Sequence, residues 1–249
     1  IELMLLGLVS KQHVLFVGPP GTAKSFMVEG AIEASGLKGF VLQLHKFIPP
    51  EEVIGPVKLS ELKQDRYERV LKEMLPEAEI AFLDEIWKSS PAILNTLLRI
   101  LNEREFRNGT AGMISCPLQL CVAASNEWPI GEGFETVGAL FDRFLIRASI
   151  RPVSRSGRSR LLYSTIPSVK NVSDRMEVGK AQAAVDAVSF GQAAKDAYDK
   201  MLDSLANEGI VVGDRRMRAA VSVAKAAAVL EGVGTVEPKH LEPLQHVLW

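Results

Sequence analysis

Gly18-Pro19-Pro20-Gly21-Thr22-Ala23-Lys24-Ser25 is the stretch that decides the fold. An apolar run, Val14-Leu15-Phe16-Val17, leads into it, and a helix-compatible run, Phe26-Met27-Val28-Glu29-Gly30-Ala31-Ile32, leads out. Strand, glycine-containing loop and helix in that order make a phosphate cradle. The N–H groups of the loop and first helical turn converge on one spot, where the helix dipole favours negative charge. In such a cradle Lys24 reaches the β- and γ-phosphates and the Ser25 hydroxyl ligates Mg²⁺. Gly18, Pro19, Pro20, Gly21, Thr22, Ala23, Lys24, Ser25 and Phe26 are therefore the candidate nucleotide-binding residues. Ala23 stands where the strict pattern G-x-x-x-x-G-K-S has its second glycine. A positive φ there would cost alanine about 1 kcal/mol, and a helical φ would accept it. The competing reading is a strand-to-helix turn that binds nothing.

Working outward, His13–Val17 reads as a buried strand, Lys24–Ala34 as a helix ended by Ser35-Gly36, and Phe40–Leu44 as a second strand. That is a βαβ unit and implies a parallel sheet. Residues 2–10 carry apolar positions at helical spacing. Residues 46–78 break the rhythm. Pro49-Pro50-Glu51-Glu52 opens a turn or short helix, Gly55-Pro56 stops it, and Glu61–Leu75 is charged and amphipathic. An excursion this long between core strands is functional or an insertion. Glu79–Leu83 is the next strand, Ser90-Pro91 opens a helix to Glu103, and 105–117 reads as a hairpin with Asn108-Gly109 at its tip. Leu118–Ser125 is a further strand. Residues 127–138 read as a Gly-rich loop, a short helix reaches Asp142-Arg143, and Phe144–Ile150 is the last strand. Arg151–Arg160 is polar and basic, and the Ala-rich remainder suggests helices at 179–207, 214–232 and 238–248. We therefore expect a core at 1–152, a linker at 153–177 and a small helical domain at 178–249.

Asp84 and Glu85 end a four-residue apolar strand, on the side where open α/β sheets bind ligands. Asp84 is the candidate Mg²⁺ ligand, and Glu85 the group that orients and deprotonates the attacking water. The alternative is an acidic pair capping the next turn. Asn126, at the end of the following strand, can hydrogen-bond that water or the γ-phosphate, although asparagine there is also a common turn residue. Arg143 lies between Leu140-Phe141 and Phe144-Leu145, where arginine needs a partner. It either pairs with an acid inside the domain or projects to a neighbouring subunit's γ-phosphate as an arginine finger. Arg215 and Arg216 open a helix after Gly213-Asp214. One of them can reach back to the same phosphates, or the two are a surface pair.

Composition narrows the function further. A formal net charge of −1 over 249 residues gives no global reason for nucleic-acid or anionic-membrane binding. Arg151, Arg155, Arg158 and Arg160 form the single local basic cluster that a nucleic-acid motor would use. Cys116 and Cys121 have no metal-site spacing and read as buried thiols in a reducing compartment. Without a signal peptide or membrane-length apolar run, a cytoplasmic location is expected. The acceptor patterns at Asn108-Gly-Thr and Asn171-Val-Ser are then chance matches. Apolar residues directly after Ile1 suggest a fragment with chain upstream.

GPPGTAKS, IAFLDEI, AASNE and FDRF, in this order, resemble an AAA+ ATPase of the MoxR branch. FIPPEEVIGP, LPEAEIAFLDEIWKSSPAILNTLLRILNEREFRNG and GDRRMRAAV look like its RavA subgroup. The resemblance covers nearly the whole chain. It implies a P-loop αβα sandwich on a five-stranded parallel sheet, followed by an all-helical lid, assembled as homo-hexameric rings. It implies ATP and Mg²⁺ as cofactors, a von Willebrand factor A-domain partner and a protein client. It makes Asn126 the first sensor, Arg143 the arginine finger and Arg215 or Arg216 the second sensor. Alanine at position 23 is common in this branch, and the 46–78 and 105–117 stretches match its insertions, which would line a pore or touch a client. The expected activity is hydrolysis of ATP to ADP and phosphate. A scaffold that binds ATP but turns over little is the alternative.

Overall fold

A computed structural model describes residues 1–129, 134–163 and 175–249. In chain order the elements of the core are α1 (Glu2–Ser10), β1 (His13–Val17), α2 (Lys24–Ser35), β2 (Gly39–Gln43), α3 (Glu51–Ile54), α4 (Leu59–Leu62), β3 (Ile80–Asp84), α5 (Pro91–Glu103), β4 (Glu105–Arg107), β5 (Met113–Ser115), β6 (Leu120–Ser125), α6 (Phe134–Phe141) and β7 (Phe144–Ser149). There follow α7 (Arg155–Tyr163), α8 (Arg175–Ala187), β8 (Ser189–Phe190), α9 (Gln192–Asn207), α10 (Asp214–Leu230), β9 (Thr235–Val236) and a 3-10 run at Pro238–His246.

The main sheet is five-stranded, ordered β2-β3-β6-β1-β7, and every pairing in it is parallel. Its middle strands are unbroken apolar runs because both faces are covered. Side-chain alternation splits the core into two layers. Val14, Phe16, Phe82, Val122 and Ile146 face α1, α2 and the helices after residue 175. Leu15, Val17, Leu83, Cys121 and Ala123 face α5 and the 46–78 excursion. On α5 the buried residues Ile93, Leu94, Leu97, Ile100 and Leu101 form one helical stripe. By contrast α1 is apolar all round, since it lies between the sheet and α8 and α10.

Several expectations need correction. The helix expected at 179–207 is two helices, interrupted where β8 pairs in parallel with β9. Gly191 lies so close to β9 that an added Cβ would stand 2.9 Å from the Val236 carbonyl oxygen, and its backbone is extended. The second domain is thus helical apart from this two-residue bridge. The last helix is 3-10 rather than α, with Pro238 at its start and Pro243 inside it. Part of the loop expected at 127–138 is helical from Phe134, and residues 130–133 lie outside the described ones, as do residues 164–174 of the expected linker, Asn171 among them. The stretch taken as a basic joint carries α7.

The excursion gains its order from the hairpin. Asn108 Oδ1 accepts from Arg69 N at 2.8 Å, while Asn108 Nδ2 donates to Arg69 O at 3.3 Å, so one amide pairs like a strand. Gly109 is required there, since a Cβ would sit 1.8 Å from Tyr67 O. Glu61–Leu75 forms no amphipathic helix; only its first two residues belong to α4.

Candidate nucleotide site and arginine face

The loop after β1 lies between the ends of β6 and β7, the strands on either side of it. Gly18 N donates to Ser125 O at 3.0 Å. A Cβ on Gly18 would lie 2.2 Å from the Ile150 carbonyl oxygen, so this position takes no side chain. Gly21 adopts φ 78° with nothing near its Cα, and Thr22 Oγ1 donates to Pro19 O at 2.9 Å. Ala23 adopts φ 58° and ψ 27°, the left-handed conformation. The sequence left this open; the backbone takes the costlier option, because a left-handed residue turns the chain from loop into helix at that point.

The candidate catalytic side chains form one connected group. Lys24, buried, donates to Gly18 O (2.6 Å), Pro19 O (3.1 Å) and Asn126 Oδ1 (3.3 Å). Ser25 Oγ donates to Asp84 Oδ2 at 2.8 Å, and Glu85 N donates to Asp84 Oδ1 at 2.9 Å. Asn126 Nδ2 donates to Glu85 Oε1, and Lys88 Nζ stands 3.3 Å from Glu85 Oε2. Ser25 thus partners Asp84, whereas Lys24 is linked to Glu85 only through Asn126. Glu85, whose backbone is left-handed with φ 53°, is held by Asn126 and Lys88. Lys88 was legible only as a cation three residues beyond Glu85, one helical turn away.

The donor set fits a nucleotide and Mg²⁺. A hydroxyl and a carboxylate 2.8 Å apart supply the one or two hard oxygens that Mg²⁺ takes from protein beside phosphates and water. Among the described residues no group of three or more His, Cys, Asp and Glu forms another metal site.

Arg143, Arg215 and Arg216 are not brought to this cradle. They line a cavity of about 600 Å³ together with Gln12, Asp142 and Arg147. Gln12 precedes β1 and Gly18 follows it. The five residues between span roughly 17 Å at about 3.3 Å each, so the cavity lies at the opposite end of the sheet. The expectation that Arg215 or Arg216 reaches back to the same phosphates is corrected: α10 packs against α1 and starts at that far end. Arg215 donates to Asn102 Oδ1 at 2.8 Å, and Arg216 to Val247 O at 2.7 Å. Arg143 Nε is buried without a hydrogen-bond partner among the described residues.

Arg147 is the residue that sequence reasoning missed, although an arginine inside the apolar strand Phe144–Ser149 was the available signal. It donates to the carbonyls of Phe144, Phe141 and Trp249 and to Asp142 Oδ1 at 3.3 Å. Burial, then the neighbouring Arg216, lowers its pKa to about 10 against the pull of Asp142. Burial likewise lowers Arg216, again opposed by Asp142. One exposed carboxylate thus serves two guanidinium groups, leaving the face strongly positive.

The chain is similar to several known proteins. A profile described as the MoxR domain of MoxR-vWA-beta-propeller ternary systems matches residues 1–187, and an AAA lid domain profile matches 195–249. An uncharacterized protein of Methanocaldococcus jannaschii is 35% identical over the whole chain, which spans 66% of that protein's length. The chaperone MoxR1 of Mycobacterium tuberculosis is 27% identical over 69% of this chain and 46% of its own. A solved Cytophaga hutchinsonii structure has the same fold, with TM-score 0.75 and 17% identity over 98% of this chain and 78% of that one. With three quarters of its length matched by that profile and the remainder largely by a lid, the chain belongs to the MoxR family of AAA+ ATPases.

Proposed function

We propose that this chain hydrolyses ATP with Mg²⁺ as a subunit of a ring, a homo-hexamer in which each copy completes its neighbour's site. The observation that carries the reading is the unbroken hydrogen-bonded group of Ser25, Asp84, Glu85, Asn126 and Lys24 at the end of β1, β3 and β6. Lys24 and the N–H groups of residues 18–26 would hold the phosphates. Ser25 and Asp84 would hold Mg²⁺, which neutralises charge there when bound. Glu85 takes the proton of the water that attacks the γ-phosphorus, and Asn126 orients that water. The β–γ bond breaks and ADP leaves.

The position of Arg143, Arg215 and Arg216 at the far end of the sheet favours their acting on an adjacent subunit. In a ring that sets this end against the next copy's phosphate loop, they meet the charge developing on its γ-phosphate. The profile's description supports a von Willebrand factor A-domain partner, and likeness to a MoxR chaperone supports remodelling of a protein client. The RavA-like assignment rests on motif likeness alone. We place the lid at residues 178–249, after a core at 1–152 and a linker at 153–177.

Steady-state phosphate release with ATP and Mg²⁺ tests the reading. Glu85→Gln should lower it by at least about 100-fold, the lower bound for loss of a general base. Equally slow release from both proteins would favour the low-turnover scaffold, a reading that the engagement of Glu85 by Asn126 and Lys88 keeps open.

A further inference from the structure

All three tryptophans of the chain stand in one place. Trp87 lies two residues beyond Glu85, and Trp128 two beyond Asn126. Both press on Phe141, with ring centroids 6.2 and 6.4 Å away. Trp128 also meets Trp249 edge-on at 5.1 Å. The Arg147 guanidinium covers the Phe141 ring at 3.7 Å and lies 5.9 Å from that of Trp249. Phe141 is followed directly by Asp142, which accepts from Arg147 and Arg216, and by Arg143. The Phe141 ring is touched by both indoles that follow the nucleotide group and lies directly under the Arg147 guanidinium.

Each end of this cluster holds an orphan. Trp87 Nε1 and Arg143 Nε are buried with no partner among the described residues. Buried polar atoms without partners are costly, which favours a second packing that satisfies them. The left-handed Glu85 adds backbone strain beside Trp87.

We propose that Phe141 is a positioning residue, which carries the state of the Glu85–Asn126 pair through Trp87 and Trp128 to the Asp142–Arg143 turn. This rests on the reading above, in which Arg143 serves the neighbour's nucleotide. A change at Glu85 or Asn126 shifts the indoles two residues away. Packed rings have few alternative arrangements, so Phe141 follows and moves the turn. A subunit's own nucleotide would thereby set how it presents Arg143 to the next site.

Phe141→Leu removes the ring and keeps an apolar side chain; Phe141→Met is made beside it in case leucine loosens the core. A non-hydrolysable ATP analogue with Mg²⁺ should shift the tryptophan emission of the wild-type chain. Both variants should keep a shift, since Trp87 and Trp128 lie on the nucleotide side of Phe141, while analogue affinity changes less than about twofold. Phosphate release by the variants should fall at least about tenfold, a part of what an arginine finger supplies. Mixing either variant with Glu85→Gln subunits, which keep the Lys24 cradle, Phe141 and Arg143 but lack the base for turnover, should restore release per variant subunit. Wild-type rates in the variants, with Arg143→Ala inactive, would overturn the proposal and leave the ATPase reading standing. A loss that Glu85→Gln subunits do not relieve would overturn it as well, assigning Phe141 to its own subunit's fold. An inactive wild type, or a fully active Arg143→Ala, would overturn the underlying reading and the proposal with it.

Discussion

Ala23→Gly should stabilise this protein, against the usual effect of glycine at a helix start. Ala23 adopts φ 58° and ψ 27° in the chain's phosphate loop. Left-handed backbone costs an L-residue about 1–2 kcal/mol, which glycine does not pay. Glycine gives back about 0.4–1 kcal/mol through the greater freedom of its unfolded chain. The net gain is about 0.5–1 kcal/mol, which for a chain of this size is roughly 1–4 °C in melting temperature. Gly21→Ala is the mirror experiment. Its φ of 78° is also left-handed, and an added Cβ there meets nothing within 4 Å, so it isolates the conformational cost without a clash. Thermal unfolding followed by circular dichroism without nucleotide should show the two substitutions moving the midpoint in opposite directions. If residue 23 were instead helical, glycine would cost about 1 kcal/mol and the midpoint would fall. A fall with Ala23→Gly would therefore refute the left-handed loop.

His13 and Lys88 supply two more predictions. Burial first, and then Arg104, lower the His13 pKa to about 3, and Cys121 N donates to its Nδ1 at 2.9 Å. Because the folded value lies below the unfolded one, this contribution is complete above about pH 6.5 and is lost as pH falls toward 3; by pH 5 it amounts to about 2 kcal/mol. Urea unfolding at pH 7 and 5 should show that loss in the wild type and about 2 kcal/mol less of it in His13→Gln, and identical losses would refute it. Lys88→Met removes a half-exposed ion pair to Glu85, so stability should change by less than about 1 kcal/mol. Phosphate release should rise by up to about fivefold as Glu85 is freed, the rate equivalent of that energy, and a fall would make Lys88 part of the catalytic group.

Most of the core's elements were legible because their residues carry the reason locally. Val14–Val17 and Ile80–Leu83 are apolar on both faces, and Ser90-Pro91 announces a helix start that the structure keeps, although the Ser90 side chain makes no capping bond. Where distant chain decides, local pattern misled. Tyr67–Arg69 is ordered by Asn108, from the hairpin, which its own amphipathic pattern does not announce. Gly191 breaks a helical run because β9 passes beside it.

By itself the sequence determined the chemistry of one end of the sheet. A phosphate loop, an acidic strand end and an asparagine strand end each sit at the carboxyl end of a parallel strand, so their convergence follows from the βαβ rule. Only the tertiary structure decided three other things. Ala23 is left-handed because the loop must turn into α2 there. Glu85 pairs with Asn126 and Lys88 rather than with Lys24. Arg143, Arg147, Arg215 and Arg216 gather at the far end, because α10 docks on α1 beneath the sheet. Strand direction can be read from local pattern, whereas the position of a helix packed from outside depends on surfaces that exist only once the chain has folded.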